Sequence, residues 1–231
     1  MSSFNYTYNS VGNRMQVVEA TGDVVSWSYD PTYQLANEQR SGANSYNITY
    51  SYDGVGNRLA LVNGGAATTS TYNAANQLAT RLSSAGTTTY TFDRDGNLLT
   101  SLAPGSQWTT NTWDGENRLT QVALPSGIVD SFTYNGDGQR VQKQDSAGTT
   151  DHVWDGRNIL LETSASNIIQ VVYTAEPVVY GNLVSQSRSG TDSFYLFDAL
   201  GSTRELASIV GSVTDSYLYV SVRPNHPCRA R

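Results

Sequence analysis

An aromatic residue followed by Asp or Asn and a short polar turn returns about every twenty-one residues along this chain. The phrase reads YTYNSVGNR from Tyr6, YSYDGVGNRL from Tyr50, YTFDRDGNLL from Tyr90, NTWDGENRL from Asn111 and FTYNGDGQRV from Phe132. Its central aromatics are Tyr8, Tyr29, Tyr52, Tyr72, Phe92, Trp113, Tyr134 and Trp154, at intervals of 21, 23, 20, 20, 21, 21 and 20 residues. A fixed period of this length means an array in which each unit leans on its neighbours, and it excludes most single-core folds at once.

The repeat is a doublet. Four residues after the aromatic, odd copies carry Gly12, Gly56, Gly96 and Gly138, whereas even copies carry Tyr33, Asn76, Asn117 and Asn158. Odd copies place a second aromatic two residues earlier, at Tyr6, Tyr50, Tyr90 and Phe132. Even copies mostly place Ser70, Asn111 or His152 there, with Trp27 the exception. The first apolar residue after the turn alternates as well. It is Leu35, Leu78, Leu119 or Leu160 in even copies and falls one residue later in three odd ones, at Met15, Leu59 and Val141.

Each copy reads as a hairpin. In YSYDGVGNRLALV, aromatic and polar residues alternate up to Asp53, which puts Tyr50 and Tyr52 on one face of a strand, and Arg58–Val62 returns. Between them Asp53 can accept hydrogen bonds from backbone two residues on, and Gly or Asn supplies positive φ. Tyr33 fits that demand poorly and predicts a different turn. The central aromatics and the apolar residues after the turn are expected to form the buried stripe. The fold expected is all-β, an antiparallel β-hairpin meander forming a curved or spiralling sheet. The array covers residues 1–160, followed by a segment at 161–219 and an irregular basic tail at 220–231.

Composition narrows the partners. The 15 Tyr and the low charged fraction of 15% suit strands and turns, and a net charge of −6 opposes general attraction to nucleic acid or anionic lipid. No apolar run is long enough for a membrane span, and MSSFNYTYNS has neither the basic start nor the apolar middle of a signal peptide. The single Cys228 rules out an internal disulfide framework.

Chemistry has few candidates, and no catalytic, cofactor or metal residue is assigned. His152 sits on a strand two residues before Trp154 and reads as a sheet-surface or packed histidine. His226 and Cys228 are two ligands in a tail, too few for a metal site. Asp93, Asp95 and Asn97 alternate as calcium ligands would, yet they lack the sixth-place Gly and distal Glu of an EF-hand loop, and Asx turns explain them. Arg14, Arg58, Arg118 and Arg140, just past the turns, could read an anionic ligand, but are expected along aromatic or carboxylate neighbours on the wet face. No G-x-S-x-G elbow is present. Carbohydrate binding is the alternative function, with exposure of Trp27, Trp108, Trp113 and Trp154 as its criterion.

These phrases resemble the YD repeats of the Rhs (rearrangement-hotspot) family, which also occur in teneurins and insecticidal toxin-complex proteins. The segment from Tyr173, with FYLFDALGSTRELASIVGSVTDSYLY, is similar to the Rhs-associated core region, and that resemblance assigns part of the core region to residues 161–219. Asp198, Leu200, Gly201, Ser202 and Thr203 match its phrase, while Leu196 stands where His is common. The resemblance implies a non-enzymatic scaffold, part of a shell that encloses a C-terminal effector or toxin, in a secreted or cell-surface parent. Its partners would be the remaining repeats and the effector domain. The number of repeats implies an open strip rather than a closed shell, with sheet edges that invite self-association. VSVRPNHPCRAR replaces the family's continuation and resembles a truncated end, so a remnant of a larger locus is a further reading.

If the central aromatics carry the fold, Tyr52→Ala lowers stability by about 3 kcal/mol, read from a denaturant titration followed by circular dichroism.

Overall fold

Aromatic, Thr and Val residues at alternating positions, broken by Gly- and Asn-containing turns, produce strands and nothing else. The computed structural model describes residues 3–178 and 182–219, and these contain 21 β-strands and no helix. No described helix is therefore long and apolar enough to cross a membrane. The described residues form two compact units, one running to Thr89 and taking in residues 217–219, the other from Tyr90 to Ser216.

The first unit contains β1 (Phe4–Tyr8), β2 (Arg14–Glu19), β3 (Val24–Tyr29), β4 (Leu35–Arg40), β5 (Tyr46–Tyr52), β6 (Arg58–Asn63), β7 (Ala66–Tyr72) and β8 (Leu78–Ser83), and ends within β9 (Gly86–Phe92). Each strand pairs antiparallel with the next. The second unit continues in the same way. It contains β10 (Leu98–Ala103), β11 (Gln107–Trp113), β12 (Leu119–Ala123), β13 (Val129–Tyr134), β14 (Arg140–Asp145), β15 (Gly148–Asp155), β16 (Asn158–Ser164), β17 (Ile169–Ala175), β18 (Leu183–Arg188), β19 (Thr191–Phe197), β20 (Thr203–Ala207) and β21 (Val213–Ser216). Its ladders are likewise antiparallel between successive strands. The chain is all-β, a meander of hairpins, as the repeat spacing predicts.

The turns follow one chemistry. The Asx side chain accepts from two backbone amides, as Asn9 does from Val11 and Asn13, Asp53 from Val55 and Asn57, and Asn135 from Asp137 and Gln139. The fourth residue after the aromatic takes positive φ whether it is Gly56 (92°), Asn76 (58°) or Asn117 (60°). Tyr33 corrects the expectation of a different turn there. It sits at φ 65°, its amide bonds to the Asp30 carbonyl at 3.0 Å, and Asp30 accepts from Thr32 and Gln34 as in the other copies. Two side-chain hydrogen bonds and the hairpin closure outweigh the strain of one L-residue in the left-handed region. The last copy is the one that differs. Asp155 pairs directly with Asn158, which lies in β16, and Gly156 supplies the positive φ of a two-residue turn.

Every returning strand of the array whose pairing is described begins with a β-bulge. Tyr8 faces Arg14 while Thr7 faces Gln16, leaving Met15 out of the ladder; Tyr52 faces Arg58 while Ser51 faces Ala60, leaving Leu59 out. This corrects the buried-stripe expectation. Side chains alternate between faces, so a one-residue bulge turns Met15 and Leu59 outward, at 37% and 39% exposure. Arg14 and Arg58 therefore occupy the place that Leu35 takes in an even copy. The central aromatics are half-buried apart from exposed Tyr8, and the deepest rings lie two residues before them, at Trp27 and Tyr50. Val17, Val25 and Trp27 form one core cluster of the first unit, and Ile48, Tyr50 and Leu61 another, with half-buried Leu35 packed against both. In the second unit Val171, Leu206 and Ala207 are the buried apolar residues.

Tyr33 is largely exposed, so replacing it removes strain and little packing. Tyr33→Asn raises stability by about 0.5–1 kcal/mol, read as a higher midpoint of urea unfolding.

Candidate functional site

The first residue of a returning strand presents a backbone carbonyl beyond the ladder to the next strand, and the next aromatic reaches it. In the first unit the hydroxyl of Tyr29 donates to the Arg14 carbonyl at 3.0 Å, Tyr52 to Leu35 at 2.9 Å and Tyr72 to Arg58 at 2.9 Å. In the second, Trp113 Nε1 donates to Leu98 at 2.9 Å, Tyr134 to Leu119 at 2.9 Å and Trp154 Nε1 to Arg140 at 3.1 Å. Each acceptor is the first residue of a returning strand. The ring thus covers apolar surface of the preceding repeat while its polar tip satisfies the carbonyl of a residue that lies beyond the pairing with the following strand.

Three of the four arginines past the turns pack on rings, whereas the Nη1 of Arg58 is buried without a hydrogen-bond partner. The Arg14 guanidinium lies 4.9 Å from the Trp27 ring centre, Arg118 5.0 Å from Tyr134 and Arg140 5.4 Å from Phe132. Arg118 also bonds the turn carboxylate of Asp114 at 2.7 Å. The proposed calcium ligands are spoken for: Asp93 Oδ1 accepts from the amides of Asp95 and Asn97 and its Oδ2 from Asn97 Nδ2. These bonds, that of the Asn97 side chain foremost, hold the Asp93 carboxyl below the usual range. Among the described residues no group of three or more His, Cys, Asp or Glu could hold a metal ion. His226 and Cys228 lie outside the described residues.

His152 is buried at 8% exposure, and burial followed by Arg140 pushes its imidazole pKa down. Its Nδ1 has no hydrogen-bond partner. Of the four tryptophans named as the carbohydrate criterion, Trp108 alone is exposed, at 49%; Trp27 is buried, and Trp113 and Trp154 are half-buried with their indole N–H groups bonded to backbone.

The strongest electrostatic centre is one that the sequence reading missed. Arg40, at the end of β4, is 5% exposed and grips Glu19 with two bonds, Nη1 to Oε1 at 3.0 Å and Nη2 to Oε2 at 2.7 Å. Nη2 also reaches Asp23 Oδ2 at 2.7 Å and Nε donates to the Ala43 carbonyl at 3.0 Å. Beside it, Glu38 is 1% exposed in mid-strand and accepts from the Tyr46 hydroxyl at 2.5 Å. One signal was available. Glu38 lies nine residues after its central aromatic, the register of buried Val17 and Leu61, so the repeat alignment itself places a carboxylate in the core.

The chain matches the family model described as RHS Repeat over residues 113–150. It is 30% identical over 176 residues to the tRNA3(Ser)-specific nuclease WapA of Bacillus spizizenii, covering 74% of this chain and 7% of that protein. The chain is an RHS-repeat protein. The RHS similarity extends at 23% identity to the double-stranded DNA deaminase toxin A of Burkholderia cenocepacia, over 90% of this chain and 16% of that protein. The Photorhabdus luminescens Tc holotoxin pore aligns over 95% of the chain and 15% of its own at 17% identity, with a TM-score of 0.46. This RHS chain therefore spans a small fraction of the length of the relatives it matches.

The buried ion cluster makes the first unit acid-sensitive. Burial alone would raise the Asp23 carboxyl, but the Ala43 amide and Arg40 outweigh it and hold the pKa below its ordinary value. A lowered folded-state pKa contributes stability above the unfolded value of about 4, lost as pH falls through the folded value. Thermal midpoints should fall with acid below about pH 4, and Asp23→Asn should flatten that decline.

Proposed function

We propose that this chain is a non-enzymatic scaffold, a stretch of repeat wall belonging to a longer Rhs-type protein whose effector lies elsewhere in the parent sequence. The observation that carries the reading is the hydrogen bond from six of the eight central aromatics to the carbonyl that opens a preceding returning strand. The recurrent chemistry of the repeat, Asx, Gly or Asn, aromatic and Arg, is spent on closing turns and joining one hairpin to the next.

The relatives support the division of labour. They are a tRNA nuclease and a DNA deaminase toxin, and what this chain shares with them covers 7% and 16% of their lengths. The partners of this chain are then the remaining repeats and the effector domain of its parent, and enclosure of that effector is the role of the wall. A toxin-bearing parent acts outside the cell that makes it, which makes secretion or surface display the fitting location. Carbohydrate binding would rest on exposed Trp108 alone, so the scaffold reading is preferred.

The purified chain should neither cleave tRNA nor deaminate double-stranded DNA; either activity, lost with no contaminating band, would overturn the scaffold reading. Tyr134→Phe, which removes one tip bond and keeps the ring, should lower unfolding stability by about 1 kcal/mol. An unchanged stability would remove the observation on which the reading rests.

A further inference from the structure

The sequence contains two Asn-Gly pairs, Asn63-Gly64 and Asn135-Gly136. They meet opposite environments. Asn135 is held at every polar atom of its side chain: Oδ1 accepts from the amides of Asp137 at 3.0 Å and Gln139 at 2.9 Å, and Nδ2 donates to Gln139 Oε1 at 2.9 Å. Its own amide donates to the Gln139 carbonyl.

Asn63 ends β6 and pairs with Ala66, the first residue of β7, across a two-residue loop of Gly64 (φ 56°) and Gly65 (φ 85°). Its carboxamide has no hydrogen-bond partner among the described residues, and both glycines are exposed with open space around them. A glycine on the C-terminal side offers an amide nitrogen with no side chain to shield it.

We propose that Asn63 is a site of spontaneous covalent modification and that the Asx turn protects Asn135 from the same reaction. The Gly64 nitrogen loses its proton to hydroxide and attacks Asn63 Cγ. A C–N bond forms, the Cγ–Nδ2 bond breaks, and ammonia leaves with a proton from water. Water then opens the five-membered imide at one carbonyl or the other, giving aspartate or isoaspartate, with nothing oxidised or reduced. The attack needs the closing pair Asn63–Ala66 to open, an event at a hairpin end; at Asn135 it also needs the turn bonds to break. Aspartate adds one negative charge at the loop. Isoaspartate adds a backbone carbon beside the Ile48–Asn63 pair and shifts the end of the ladder.

The test is peptide mapping of the whole chain during incubation at mildly alkaline pH, native and in concentrated urea. Trypsin reports the two sites on separate peptides, residues 59–81 and 119–140. Conversion of Asn63 in the native chain should be at least about tenfold faster than that of Asn135, with the ratio falling toward one in urea. The Asn63 product should accept a methyl group from an isoaspartyl methyltransferase. Gln139→Ala, which deletes the partner of Asn135 Nδ2, should raise conversion of Asn135 and leave that of Asn63 unchanged. Equal native rates, or a ratio that persists in urea, would overturn the proposal.

Discussion

A carbonyl displaced from its ladder must be satisfied, and in this chain that need joins one repeat to the next. The first residue of a returning strand lies beyond the pairing with the following strand, and water is the alternative donor to its carbonyl only where the surface is open. Here the tip of the following Tyr or Trp closes over it. The aromatic must therefore carry an O–H or N–H, lie on the covered face and follow at one distance, which is why the repeat length varies so little. Phe92 is the one central aromatic that lacks a donor.

The two ends of the hairpins are secured by different chemistry. At the aromatic end, Asx side chains close the turns and arginines lie on the rings, interactions that stay partly wet and contribute modestly one at a time. At the opposite end of the first unit, Arg40 gathers Glu19, Asp23 and the Ala43 carbonyl from separate segments. Gly42 passes so close to Asp23 that a Cβ there would stand 1.9 Å from the carboxylate. A buried ion cluster gains little net stability over an apolar one, but removing one member strands the others. It fixes which strand ends meet more than it strengthens the unit.

Much of this was legible in the residues. The hairpin period, the positive-φ position and the Asx closure could be read because each is local and recurs, so Gly56, Asn76 and Asn117 stand as parallel solutions. Tyr33 was misread because propensity argues from one residue, whereas the turn is decided by Asp30 and the hairpin around it. The bulge was invisible because Arg14 and Arg58 stand where Leu stands in even copies, and the apolar residue next to them imitates a shifted stripe. The Arg40 cluster could not be read from spacing, since its members come from different hairpins. Glu38 could have been, by superposing the copies.

The bonds between aromatic tips and bulge carbonyls all connect residues 14 to 17 apart in sequence. No distant segment has to be found before a hairpin can dock on its predecessor, so little loop entropy opposes each step. Folding within a unit can start at any well-closed turn and spread like a zipper. Force applied along the strand order should undo the same array one hairpin at a time, each paying out a similar length of chain.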